Sequence, residues 1–106
     1  MAWQKLCPLD EIPALGARVV EHPGGNIAVF RTAGGSVFAL ADACPHKGGP
    51  LSQGIVHGDG DNARVTCPLH GWNVELDSGS ACAPDDGCVA RYAVRVDAGS
   101  VWLDAP

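Results

Sequence analysis

No apolar run in the 106 residues approaches the roughly eighteen that crossing a bilayer requires. The N-terminus, Met1-Ala2-Trp3-Gln4-Lys5, has no hydrophobic signal segment, so a cytoplasmic protein is expected. Basic residues are few. Seven Lys and Arg face twelve Asp and Glu, and the net charge of −5 argues against nucleic acid or an anionic membrane as a partner. The five cysteines are an odd number and imply no disulfide framework. Internal repeats, low-complexity tracts and linkers are absent. So are a nucleophile–base constellation, a phosphate-cradling glycine loop and a mononuclear iron site of two histidines and a carboxylate. The chain is therefore not expected to be a catalyst on its own.

What it has is glycine and proline. Fourteen Gly, eight Pro and 46% hydrophobic residues predict many short strands and turns rather than long helices. The length suits one domain with a modest core. Strands are expected at Trp3–Cys7, Ala17–His22, Asn26–Arg31 and Ser36–Leu40, the last two forming a hairpin through Gly34-Gly35. Leu51–Val56 is short and mostly apolar, and His57–Asn62 reads as a polar loop. Arg64–Thr66 and Trp72–Leu76 read as further strands. A closing hairpin joins Arg91–Val96 to Ser100–Leu103, with Tyr92, Val94 and Val96 on one face.

Two stretches carry the chemistry: Cys44-Pro45-His46-Lys47-Gly48-Gly49-Pro50 and Cys67-Pro68-Leu69-His70-Gly71-Trp72. Each offers one thiolate and one imidazole, with twenty residues between His46 and Cys67. Two sulfurs and two nitrogens suit zinc or an iron–sulfur centre. A structural zinc site usually pairs like ligands in each knuckle, whereas a Rieske centre needs two mixed loops: two cysteines hold one iron and two histidines the other. The mixed loops here favour iron. A proline after each cysteine fixes the backbone and removes a donor, leaving neighbouring amides free to point at sulfur. Glycines after both histidines permit tight turns and close approach to sulfide.

On these motifs the chain resembles the Rieske ferredoxin-type domains. The resemblance implies a [2Fe-2S] Rieske cluster held by Cys44, His46, Cys67 and His70. It also implies one domain over residues 1–106: an all-β, antiparallel sandwich or barrel basal part, 1–42 and 77–106, with a small inserted cluster-binding part, 43–76. The thiolates are expected on the buried iron and the imidazoles at an exposed tip where electrons leave. In the high-potential respiratory members each ligand loop has an extra cysteine, and the two are joined by a disulfide. The matching positions here are Gly49 and Leu69. The serine and tyrosine that donate hydrogen bonds to sulfur there correspond to Trp72 and Val74. Fewer donors imply a potential toward the lower part of the Rieske range, which begins near about −150 mV.

Within that family the chain is similar to the small subunit of assimilatory NAD(P)H-dependent nitrite reductase. The likeness rests on Ile27–Arg31, on Cys44–Val56 and on Asp86-Gly87-Cys88-Val89. It implies a non-catalytic partner of a large subunit carrying flavin, an iron–sulfur cluster and sirohaem, which reduces nitrite to ammonia. The alternative is a free Rieske ferredoxin serving an oxygenase; a further one is a structural module. An acidic carrier of either kind would be steered toward a basic patch on its redox partner. Cys7 is expected to be a buried small hydrophobe, Cys82 and Cys88 reduced thiols, His22 and His57 solvated, Asp85 and Asp86 a solvated turn, and Trp72 a packing residue.

Overall fold

The computed structural model describes residues 3–23, 25–43, 50–58, 60–68, 71–80 and 87–104. Among the described residues nine strands follow one another: β1 (Trp3–Pro8), β2 (Ala17–Val20), β3 (Ile27–Arg31), β4 (Val37–Ala41), β5 (Ile55–His57), β6 (Arg64–Thr66), β7 (Asn73–Glu75), β8 (Arg91–Asp97) and β9 (Ser100–Asp104). Three single-turn 3₁₀ helices, Leu9–Glu11, Leu51–Gln53 and Gly60–Asn62, are the only helices among the described residues. The fold is all-β and antiparallel. Six strands form one sheet in the order β1-β9-β8-β4-β3-β2, and β5-β6-β7 form a second. No helix among the described residues is long and apolar enough to cross a membrane.

The β3–β4 hairpin pairs Ile27 with Ala41 and Arg31 with Val37, as the glycine turn predicts. β3 is the centre of the molecule. Ile27, Ala28, Val29 and Phe30 are all fully buried, because the strand has a core on each face. Ile27 and Val29 face Cys7, Ile12, Ala39, Val101 and Leu103. Ala28 and Phe30 face Leu40, Leu51, Val56, Val65, Val74 and Leu76, so the second core joins the large sheet to the small one. Burial on both faces explains why the run Ile27–Phe30 is apolar throughout rather than alternating.

The closing hairpin turns through Ala98 (φ 51°) and Gly99 (φ 77°), two left-handed residues that match the right-handed twist of the strands. Tyr92 and Val94 pack on the core, whereas Val96 is 39% exposed at the strand's far end. Arg31 ties the start of the chain to the hairpin: its Nη1 donates to the carbonyls of Leu9 (3.2 Å) and Ile12 (2.9 Å). Two expectations are corrected. His57 belongs not to the polar loop but to β5, which follows the 3₁₀ turn Leu51–Gln53 and Gly54. His22 is half-buried, its ring 5.9 Å from that of Tyr92, rather than solvated. His57 is exposed, as expected, and hydrogen-bonded to Thr66. Cys7 is buried as expected, and Cys88 is an exposed thiol in no disulfide. Cys82, Asp85 and Asp86 lie outside the described residues.

Candidate metal centre

Both motifs leave the ends of strands, and each strand end is tied down by named bonds. β4 ends at Ala41, whose amide donates to the Ala90 carbonyl (2.8 Å), and the Asp42 amide donates to the Asn26 carbonyl (2.9 Å). The chain returns at Pro50 and Leu51, the latter fully buried. Across the neck, Ser52 donates its amide to Asp42 Oδ1 (2.7 Å) and its hydroxyl to Oδ2 (2.8 Å). A carboxylate gripping both donors of one serine is a charge-assisted clasp. It closes the loop that carries Cys44 and His46.

The second motif leaves β6. Cys67 is 2% exposed, and its amide donates to the Trp72 carbonyl at 2.7 Å. Its carbonyl accepts from the Gly71 amide at 3.1 Å, a tight return that Gly71 makes at φ 73°. A side-chain bond adds a rung beside this one: Thr66 Oγ1 donates to Asn73 Oδ1 at 2.6 Å. Trp72 is half-buried and packs on the core shared by the two sheets, the packing role expected of it.

Gly54 brings the two necks together. A Cβ there would overlap the Thr66 carbonyl oxygen and lie 2.9 Å from Val65 Cγ2. The return of the first loop therefore lies directly against the backbone that delivers Cys67.

Of the four residues singled out as ligands, Cys67 is described; Cys44, His46 and His70 lie outside the described residues. The donor set fits a cluster. Cys67 is a buried thiol whose own backbone groups are satisfied, and soft thiolate suits iron–sulfur. Among the described residues no group of three or more His, Cys, Asp or Glu gathers as a rival metal site.

The sequence profile of the Rieske-like [2Fe-2S] domain matches residues 2–104. The chain belongs to this family. Its cofactor is accordingly a [2Fe-2S] Rieske cluster, and it is an electron-transfer domain that works with a redox partner protein. The 3-phenylpropionate/cinnamic acid dioxygenase ferredoxin subunit of Photorhabdus laumondii is 36% identical over 99 residues, covering 92% of this chain and 90% of that protein. A Mycobacterium tuberculosis structure assigned as an NADH-dependent nitrite reductase small subunit overlays with a TM-score of 0.84 at 29% identity, covering 96% of this chain and 93% of that one. The ferredoxin in complex with the oxygenase of carbazole 1,9a-dioxygenase overlays at 0.78 with 28% identity, covering 95% and 91%.

Asn73, Ser52 and Asp42 were not singled out from the sequence. Their roles depend on which strand ends meet, and no spacing rule reports that.

Proposed function

We propose that this Rieske domain is the electron-transfer small subunit of a cytoplasmic NAD(P)H-dependent assimilatory nitrite reductase. Its partner is a large subunit bearing flavin, an iron–sulfur cluster and sirohaem. In this reading residues 1–106 are one domain, with 43–76 as its cluster-binding part. Cys44 and Cys67 hold one iron; His46 and His70 hold the other. When bound, the cluster takes up and gives out one electron, and its neutral imidazole ligands keep its potential above that of an all-thiolate centre. The chain's part is to hold the loops rigid through the Asp42–Ser52 clasp and the Thr66–Asn73 rung, and to exclude water from Cys67 with the packed core beneath it.

The observation that carries the reading is the near-complete overlay on the nitrite reductase small subunit, TM-score 0.84 at 29% identity. It is supported by the likeness of the Cys44–Val56 and Asp86–Val89 stretches. In the second of these, Cys88 bridges Ser80 and the Val89 amide donates to the Gly79 carbonyl (2.8 Å), seating the segment against the turn after β7. The 36% identity to a dioxygenase ferredoxin subunit favours a second reading, a free ferredoxin serving an oxygenase.

Affinity capture separates them. The tagged, anaerobically purified chain is passed through lysate of its own host grown on nitrate, and the retained material is read by absorbance and NADH-dependent nitrite consumption. A retained protein with flavin and sirohaem bands that consumes nitrite is expected. Recovery of an oxygenase instead would move the assignment to the ferredoxin. The ligand set is checked by His46→Ala and Cys67→Ser, each expected to abolish the Rieske absorbance and EPR signal; survival of the signal in either refutes the assignment.

A further inference from the structure

On the outer face of the small sheet, the register places Ile55, Thr66 and Asn73 in one row and His57, Arg64 and Glu75 in the next. His57 lies directly opposite a cation, Arg64, yet its ring reaches diagonally to the other row: Nε2 is 2.9 Å from Thr66 Oγ1. That hydroxyl has one proton, and it is spent on Asn73 Oδ1 at 2.6 Å. The bond from His57 must therefore run the other way, with Nε2–H donating and Thr66 Oγ1 accepting. The three side chains form a one-way chain of donors across all three strands. It selects the Nε2–H tautomer of the imidazole.

The chain of bonds ends at a particular place. Thr66 precedes Cys67 and Asn73 follows Trp72, and the Cys67 amide donates to the Trp72 carbonyl at 2.7 Å. The side-chain rung and this backbone rung are adjacent steps of one ladder, so what fixes the first fixes the second. Nothing else in the described contacts of His57 explains why it leans from its own row.

We propose that His57 is a positioning residue for Cys67, acting through Thr66 and Asn73. The proposal deepens the reading of Cys67 as a cluster ligand and rests on it. By donating to Thr66 Oγ1, His57 polarises the hydroxyl toward Asn73 and holds β6 and β7 at the separation from which the thiolate is presented. The imidazole carries no ligand role and need not titrate for this.

The test uses the full chain, as purified and after reconstitution with iron and sulfide, in three variants. His57→Leu removes the donor, His57→Gln keeps an N–H at similar reach, and Thr66→Val removes the hydroxyl. Loss of one hydrogen bond, about 1 kcal/mol, corresponds to roughly fivefold faster local opening. Hydrogen exchange of the Cys67 amide should therefore quicken about fivefold in His57→Leu, by up to roughly thirtyfold in Thr66→Val, which loses both bonds, and stay near the parent in His57→Gln. In the loaded protein the midpoint potential and EPR g values should move in His57→Leu and Thr66→Val and stay at the parental values in His57→Gln. Parental exchange and potential in His57→Leu would overturn the proposal, as would equal changes in the Leu and Gln variants. A parent chain that binds no iron would refute the ligand reading instead, and the exchange results would still judge the ladder.

Discussion

Gly54→Ala tests how tightly the two ligand-loop necks are built together. Gly54 sits at φ −80°, a conformation any residue can adopt, so its glycine is not required by backbone freedom. The requirement is space. An added methyl would overlap the Thr66 carbonyl oxygen and lie 2.9 Å from Val65 Cγ2 and 3.1 Å from the Leu51 carbonyl oxygen. Two of the three obstacles are backbone: the Thr66 carbonyl belongs to the strand leading into Cys67 and the Leu51 carbonyl to the 3₁₀ turn before Gly54, so relief requires moving one element or the other. Overpacking of a well-packed site costs about 1–3 kcal/mol, and rigid obstacles put this case near the top of that range. For a domain near 100 residues each kcal/mol lowers the melting temperature by at least about 4 °C, giving a fall of roughly 12 °C. The assay is thermal unfolding by circular dichroism, with Gly60→Ala as reference. Gly60 lies at φ 56° in open space, so its variant carries only left-handed strain of about 1 kcal/mol. A Gly54→Ala melt equal to or above that of Gly60→Ala would refute the close-approach argument.

Three further outcomes follow from the same geometry. Asp42→Ala removes both bonds to Ser52 at a half-buried site; a loss of about 2 kcal/mol is expected, with faster stripping of iron by a chelator, and unchanged chelation kinetics would count against the clasp. Ala98→Asn places a residue that tolerates the left-handed conformation in the closing turn, where Ala98 sits at φ 51°; unfolding should shift up by as much as about 1 kcal/mol, and a downward shift would contradict the turn assignment. Arg18→Gln breaks the 2.9 Å pair with Glu11, whose side chains are 44% and 54% exposed; the melt should change by less than about 0.5 kcal/mol at any salt concentration.

The strands next to turns were legible because their signals are local. Gly34-Gly35 and Ala98-Gly99 sit between alternating runs, and the hairpins formed where those signals lie. Phe30 and Ala28 were harder, since a strand buried on both faces loses the alternation that marks its inner side. The division of Leu51–Val56 into a 3₁₀ turn and a strand was not legible, because the Thr66 carbonyl that crowds Gly54 is brought near only in the folded chain. Cys67 was legible as a candidate ligand, because a Cys-x-x-His pair at fixed spacing is a local pattern. Asp42 with Ser52, and His57 with Thr66 and Asn73, were not, because each joins residues brought together by pairing rather than by spacing.

Chemistry and partner choice occupy different parts of such a chain. The four donors proposed as ligands sit in two short motifs, and everything needed to read those motifs lies within a few residues of each. Docking is spread over exposed side chains that no single motif collects. That difference accounts for one scaffold overlaying both a nitrite reductase small subunit at 0.84 and an oxygenase's ferredoxin at 0.78. It also limits what electrostatics can discriminate. With a net charge of −5, the chain would be steered to a basic patch on either partner, and salt would slow electron transfer in both cases. A salt-sensitive rate would therefore identify a carrier without identifying its client; whether a captured partner brings flavin and sirohaem with it is what would distinguish the two.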